Sequence, residues 1–404
     1  MERRRFITIF LVVFMNVFGF GMILPLLPYY AAEFNAANWT IGMLASSYAL
    51  ASIISSPLLG RLSDRYGRRP LMLVSIVGTI AGFVVIGAAN ALWMLFLGRI
   101  LDGLTAGNIT VAQSYIADIT DDKSRARGLG ITGAAFGLGF IVGPSAGGLL
   151  SAWGYGTAAF VAAGVSVLNL ILVAVWLPES LSEERKAVLA AQPRGGVTLS
   201  RLLVALRRPR FGPALVLRAV FWFAFAIFQT TFSLWARDSL GASARTTGLI
   251  LGYVGVLSLL VQLVVIGPLT KRFAEGSIVV VSLAVAAVSL MIWGFTPTVA
   301  LVFVSLTPLG IAVALQNTTA SSLLSKSVKP WEIGGAFGLS NSLTSVGSVV
   351  APLLGTTLLT FSGWAPGLTA GLIALALVPY AYAMFMRDGP TADVATARPA
   401  TTGR

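Results

Sequence analysis

The chain of 404 residues contains no cysteine and no histidine. Without cysteine there is no disulfide, no thiolate metal site and no thiol nucleophile. Without histidine the commonest general base and metal ligand is missing, and so is the side chain that titrates near neutral pH. Charge is scarce as well: Asp, Glu, Lys and Arg make up 11% of the residues, against 56% hydrophobic ones. A mean hydropathy of +0.85 excludes an ordinary soluble domain and points to a polytopic membrane protein. No GxxxxGK[ST] loop occurs, so nothing suggests ATP drive. These absences argue against an enzyme, and they leave carboxylates as the groups able to handle protons.

What the chain has in abundance is long apolar runs. A membrane-spanning helix needs roughly 20 such residues, and that rule places spans near 6–31, 41–60, 70–89, 92–117, 127–150 and 157–177. Six more follow near 211–234, 246–267, 277–295, 299–323, 334–360 and 366–386. The opening "MERRRFITIFLVVF" resembles a signal peptide, but no small-residue cleavage site closes the run, and it is read as a retained first span. Of the 28 Lys and Arg, 24 fall on one side of these spans. Arg237 and Arg245 fall on the other side, and Arg99 and Arg218 within spans. The bias predicts both termini in the cytoplasm. It also accounts for the net charge of +13 without a nucleic-acid partner.

The chain repeats itself. "GRLSDRY" (Gly60–Tyr66) returns as "GPLTKRF" (Gly267–Phe273), and "GFIVGPSAGG" (Gly139–Gly148) as "GSVVAPLLGT" (Gly347–Thr356). Six helices repeated as six predict an all-α membrane protein of twelve spans in two pseudo-symmetric bundles, with a site between them near the midplane. The expected division is 1–177 and 211–386 for the bundles, 178–210 for a linker and 387–404 for a tail.

"GRLSDRYGRRPLML" (Gly60–Leu73), "LFLGRILDG" (Leu95–Gly103), "GLGFIVGPSAGG" (Gly137–Gly148) and "FGFGMILPLLP" (Phe18–Pro28) occur at the places expected of four family motifs. Together they resemble the major facilitator superfamily, in its twelve-helix drug/proton antiporter branch of tetracycline-efflux-like and multidrug transporters. The resemblance implies that Gly60, Asp64, Arg65, Gly67 and Arg68 form a conformational latch. In it Asp64 caps a neighbouring helix, and Arg68 pairs with an acid ending span 4, for which Asp118 is the candidate. The same cations also hold the loop in the cytoplasm, and the sequence leaves both readings open. Gly139, Gly143 and Gly147 share one helix face beside Pro144. By resemblance that face packs against the second half and restricts leak. Pro25 and Pro28 are expected to break span 1 near its outer end. Where tetracycline-efflux proteins carry an aspartate nine residues before the first of those prolines, this chain has Asn16.

Arg99 and Asp102 stand three residues apart in span 4, roughly ten residues or about 15 Å from its outer end. Charges at such depth face a cavity or the bundle interior and mark function. On a continuous helix Thr110 and Gln113 would share their face, with Asn108 pointing elsewhere. Arg99 favours the ionised carboxylate and the low dielectric favours the neutral one, a balance suited to loading and releasing a proton. A static brace is the alternative. Glu33, at the outer end of span 1, is the second candidate carrier. The second half offers Trp222, Gln229, Tyr253, Gln262, Gln316 and Asn341 as substrate contacts, with Asn16, Thr110 and Gln113 from the first. Arg218 is expected to snorkel to the cytoplasmic face. Amide and aromatic walls with one acid suit an amphipathic, neutral or cationic organic molecule.

The function implied is export of drug-like molecules in exchange for protons by alternating access, with no cofactor other than the coupling proton. The expected setting is a monomer in a bacterial inner membrane, contacting lipid and a small organic substrate but neither ATP nor nucleic acid. Uncoupled transport of a metabolite or lipid is the alternative, with a non-transporting receptor third.

Overall fold

Inside a bilayer a backbone must satisfy its own hydrogen bonds, and apolar runs of this length do so as helices. The computed structural model of the protein describes residues 2–120, 125–184, 186, 199–329 and 332–385, and no strand occurs among them. Among the described residues, eleven helices are long and apolar enough to cross a membrane. The expected twelfth, span 4, is broken into Leu92–Leu104 and Asn108–Ile119. Each piece alone is too short to span, which is why the count is eleven rather than twelve. Span 1 is also interrupted, between Glu2–Ile23 and Leu27–Glu33, at the expected prolines.

Span 2 is Asn38–Tyr66, span 3 Arg68–Gly87, span 5 Arg125–Leu150 and span 6 Tyr155–Trp176. In the second half span 7 is Phe211–Leu240, and span 8 runs through Ala244–Leu260, a π-helical stretch Val261–Val265 and Ile266–Arg272. Spans 9 to 12 are Glu275–Ile292, Val299–Lys326, Ile333–Phe361 and Ala365–Phe385. The linker expected as polar coil contains a helix, Leu199–Arg207, whose Ala205 packs with Phe211 at the start of span 7. Much of the rest of that linker and the tail 387–404 lie outside the described residues.

Each half has its own apolar core. Ile9, Val12, Met72, Tyr115 and Val173 are buried together in the first. In the second, Phe228, Phe232, Trp235 and Trp293 cluster, the two indoles edge-to-face at 4.7 Å. The halves meet chiefly through spans 5 and 8 and spans 2 and 11. Here the end of the bundle bearing the turn after span 2 and the start of span 7 is called the basic end, and the opposite one the far end.

Candidate functional site

Spans 3 and 4 touch backbone to backbone. A Cβ added at Gly82 would stand 2.8 Å from the Gly98 carbonyl oxygen, and one added at Gly98 would stand 2.7 Å from that of Gly82. This close approach sets Asp102 beside Thr79. Gly103 lies on the backbone of Tyr48 in span 2, where a Cβ would meet its carbonyl oxygen at 2.6 Å. Arg99 is 1% exposed and Asp102 4%. Their nearest atoms, Nη1 and Oδ2, are 3.7 Å apart, an ion pair but not a hydrogen bond. The Arg99 guanidinium lies 4.3 Å from the Tyr48 ring centre and 5.2 Å from that of Phe20, while its Nε and Nη1 have no hydrogen-bond partner. Aromatic faces hold this cation as much as the carboxylate does.

One turn on, span 4 breaks at Thr105–Gly107. Thr105 packs on Gly78, its hydroxyl turned back to the Leu101 carbonyl at 2.9 Å, and Gly107 packs on Leu59. The break corrects the continuous face expected of Arg99, Asp102, Thr110 and Gln113. Thr110 and Gln113 lie beyond it and are half-buried. Asn108, expected to point elsewhere, is 2% exposed, and neither atom of its amide has a partner.

At the basic end Arg68 is the hub. Its Nε lies 2.9 Å from Asp118 Oδ2, and its Nη1 2.6 Å from Asp64 Oδ1 and 2.7 Å from Ser63 Oγ. The structure thus joins Asp64, Arg68 and Asp118. Glu179, which the motifs did not single out, accepts from the backbone N–H of Arg68 at 2.9 Å and of Arg69 at 3.1 Å. It caps the N-terminus of span 3 from a residue just past span 6. Ser180 donates to Asp118 at 3.1 Å. Gly67 makes the turn with φ 106°, where any Cβ would strike the Glu179 carboxylate. Arg65 lies over the Tyr66 ring at 5.3 Å, and a Cβ added at Gly60 would stand 3.8 Å from the Thr110 methyl. The signal for Glu179 was available: span 3 begins after a glycine with no capping side chain of its own.

The glycine face of span 5 is a correction. Gly139, Gly143 and Gly147 meet Phe18, Gly21 and Met22 of span 1, within the same half. It is the neighbouring face that crosses to the second half: Gly248 abuts the Pro144 carbonyl and Gly148, Gly252 abuts Ser145, and Gly255 abuts Ile141. Between spans 2 and 11, Gly42 meets Thr356, and Ser46 donates to the Val349 carbonyl at 2.7 Å. These contacts lie in the far half. A methyl at Gly133, Gly137, Gly335 or Gly338, toward the basic end of spans 5 and 11, would meet nothing within 4 Å.

Polar ties reinforce the far end. Tyr29 Oη lies 2.6 Å from Thr247 Oγ1 and donates to the Ala242 carbonyl at 3.0 Å. Arg237 donates to the Pro28 carbonyl at 2.9 Å. Beside these ties a cavity of about 650 Å³ is lined by Glu33, Tyr155, Arg237 and Arg245 among others. Glu33 is exposed there.

The profile of the Major Facilitator Superfamily matches residues 9–265 and 214–402, nearly the whole chain. The chain belongs to the major facilitator superfamily. It is 32% identical over 357 residues to the tetracycline resistance protein, class C, of Escherichia coli, covering 86% of this chain and 87% of that protein. It is 27% identical over 379 residues to multidrug resistance protein 2 of Bacillus subtilis, covering 91% and 93%. The structure of the human organic anion transporter MFSD10 superposes with a TM-score of 0.69 at 21% identity, over 94% of this chain and 99% of the other. Membership makes this facilitator a membrane transporter and not an enzyme.

In the facilitator's second half the expected contact residues divide. Trp222 and Gln229 are half-buried on span 7, the indole edge-on to Phe225 at 5.5 Å. The Tyr253 hydroxyl pairs with Thr307 Oγ1 at 2.7 Å. Gln262 is exposed in the π-helical stretch, Asn341 is exposed on span 11, and Asn16 is half-buried on span 1. Gln316 is a correction: at 1% exposure it accepts from Ser282 at 2.9 Å between spans 9 and 10, inside the bundle. Arg218 is another. It does not snorkel outward but hydrogen-bonds Ser321 and lies 5.7 Å from the Phe337 ring, among spans 7, 10 and 11.

Proposed function

We propose that this facilitator exports drug-like, amphipathic organic molecules in exchange for protons, its halves rocking about a site between them. The observation that carries the reading is the enclosed Arg99–Asp102 pair in the first half, an ionisable couple buried deep within a membrane span. Asp102 is the proton carrier, Arg99 its counter-charge, and Glu33 the acid beside the far-end cavity. The relatives' names, tetracycline resistance and multidrug resistance, support a drug-like substrate. Asn16, Trp222, Gln229, Tyr253, Gln262 and Asn341 are the proposed substrate contacts, with Thr110 and Gln113 from the second piece of span 4.

The basic end is taken as cytoplasmic, from the distribution of Lys and Arg. The arrangement is then an inward-facing one, with far-half contacts closing the outside. The Arg68–Asp64–Asp118 cluster, tied to Glu179, acts as the latch of that state. The protein works as a monomer in a bacterial inner membrane, without ATP, nucleic acid or a cofactor other than the proton.

Purified protein in liposomes, given an inside-acid pH gradient and a panel of tetracycline and cationic dyes, tests the proposal. Accumulation of at least one compound against its gradient, abolished by a protonophore, is expected. Asn16 favours a second reading, uncoupled movement of a metabolite or lipid, which flux indifferent to the gradient would support.

A further inference from the structure

Spans 3 and 4 run antiparallel in a steady register. Gly82 meets Gly98 and Asp102, Gly78 meets Thr105, and Arg68 meets Asp118. From Gly82–Asp102 to Gly78–Thr105, four residues back along span 3 match three forward along span 4. The next step of that register sets Ser75 level with Asn108, between the Thr79–Asp102 contact and the Arg68–Asp118 pair. Ser75 is fully buried and Asn108 nearly so. Ser75 Oγ and both amide atoms of Asn108 have no hydrogen-bond partner.

Left dry, each unpartnered atom would carry an uncompensated desolvation cost. Buried polar groups in native proteins are satisfied by protein or by ordered water, and polar gaps hold water where apolar ones stay empty. The helix break at Thr105–Gly107 lies at the same level, where span 4 loses its regular backbone bonding. A metal cation would also find oxygen ligands here, but the enclosed Arg99 guanidinium beside Asp102 opposes a second positive charge.

We propose that spans 3 and 4 enclose a short file of ordered water at Ser75 and Asn108, which relays the proton of Asp102 toward the basic end. The proton route then lies inside the first half, apart from the path of the organic substrate. A proton leaving the Asp102 carboxyl passes to the first water as another leaves the last water on the side toward the basic end, so the file is unchanged after each transfer. The inference rests on the proton-coupled reading above.

Two experiments test it. In liposomes, the Ser75→Val, Asn108→Leu double variant fills the gap. For a compound the unaltered protein moves, tetracycline first, exchange without a pH gradient is expected to stay within about twofold. Gradient-driven uptake falls about tenfold, the loss of roughly one hydrogen bond in the transfer step. Ser75→Thr with Asn108→Ser, which keeps polar groups facing the gap, recovers most of the drive. Equal loss of both fluxes, or loss of neither, overturns the file while leaving proton coupling in place. A native protein indifferent to the gradient overturns both readings. The second experiment needs no variant: a high-resolution density map is expected to show water bonded to Ser75 and Asn108, and an empty gap would overturn the proposal by itself.

Discussion

The hydroxyl of Tyr29 lies 2.6 Å from that of Thr247, joining two residues 218 positions apart across the seam between the halves. The same hydroxyl reaches the Ala242 carbonyl at 3.0 Å, so one side chain makes two ties that exist only while the far end is closed. Removing them with Tyr29→Phe should shift the balance toward far-end opening by roughly threefold to tenfold, about one net hydrogen bond. Because the chain has no native cysteine, spin labels at Ala37→Cys and Ser239→Cys report that opening without background. A distance distribution unchanged by Tyr29→Phe would show that the ties do not govern the gate.

The contact of spans 5 and 8 permits no side chain at its centre. A Cβ at Gly248 would stand 2.5 Å from the Pro144 carbonyl oxygen, so Gly248→Val must prise the halves apart. The expected result is a longer distance between spin labels at Ala37→Cys and Ser239→Cys, with transport lost. Gly137→Ala, on the same span as Pro144 but facing open space, should behave as the parent protein.

Arg68 neutralises two buried carboxylates at once, Asp64 and Asp118. Arg68→Ala leaves both without that partner and should destabilise the protein by about 3–5 kcal/mol, read as a lower midpoint of thermal unfolding in detergent. Adding Asp118→Asn to Arg68→Ala should restore part of the loss, since it removes one of the stranded charges. An additive double variant would contradict the pairing.

Much of this architecture was legible in the sequence. The spans and the internal repeat follow from apolar run length and self-similarity, and the meeting of Arg68 with Asp118 was implied by the family resemblance. The break in span 4 was not, because Thr105-Ala106-Gly107 carries no proline and only one glycine. What interrupts the helix is packing, Thr105 on Gly78 and Gly107 on Leu59. The glycine face of span 5 was legible as a close-contact face, but periodicity cannot say which neighbour fills it, and span 1 did. Arg218 and Gln316 turned into the bundle because Ser321 and Ser282 offered partners there, contacts invisible to spacing. Phe20, Tyr48 and Thr79, which shape the site around Arg99 and Asp102, come from other spans; Tyr48 and Thr79 lie outside the motifs, and Phe20 lies in the span 1 motif with nothing there to tie it to Arg99.

The stacking of Arg99 on Tyr48 makes a graded prediction. Tyr48→Leu removes the aromatic face and should weaken the hold on the guanidinium by about 2 kcal/mol, lowering both thermal stability and gradient-driven uptake. Tyr48→Phe keeps the ring and should retain most of each. If the two variants behave alike, the ring is only filler.

The most direct measurement compares the parent protein with Asp102→Asn in liposomes, following uphill uptake under a pH gradient and exchange without one. The account predicts that Asp102→Asn abolishes gradient-driven accumulation while exchange survives, because the amide cannot release a proton but fills the same space beside Thr79 and Arg99. Uphill uptake persisting in Asp102→Asn would contradict it and leave the Arg99–Asp102 pair as a structural brace.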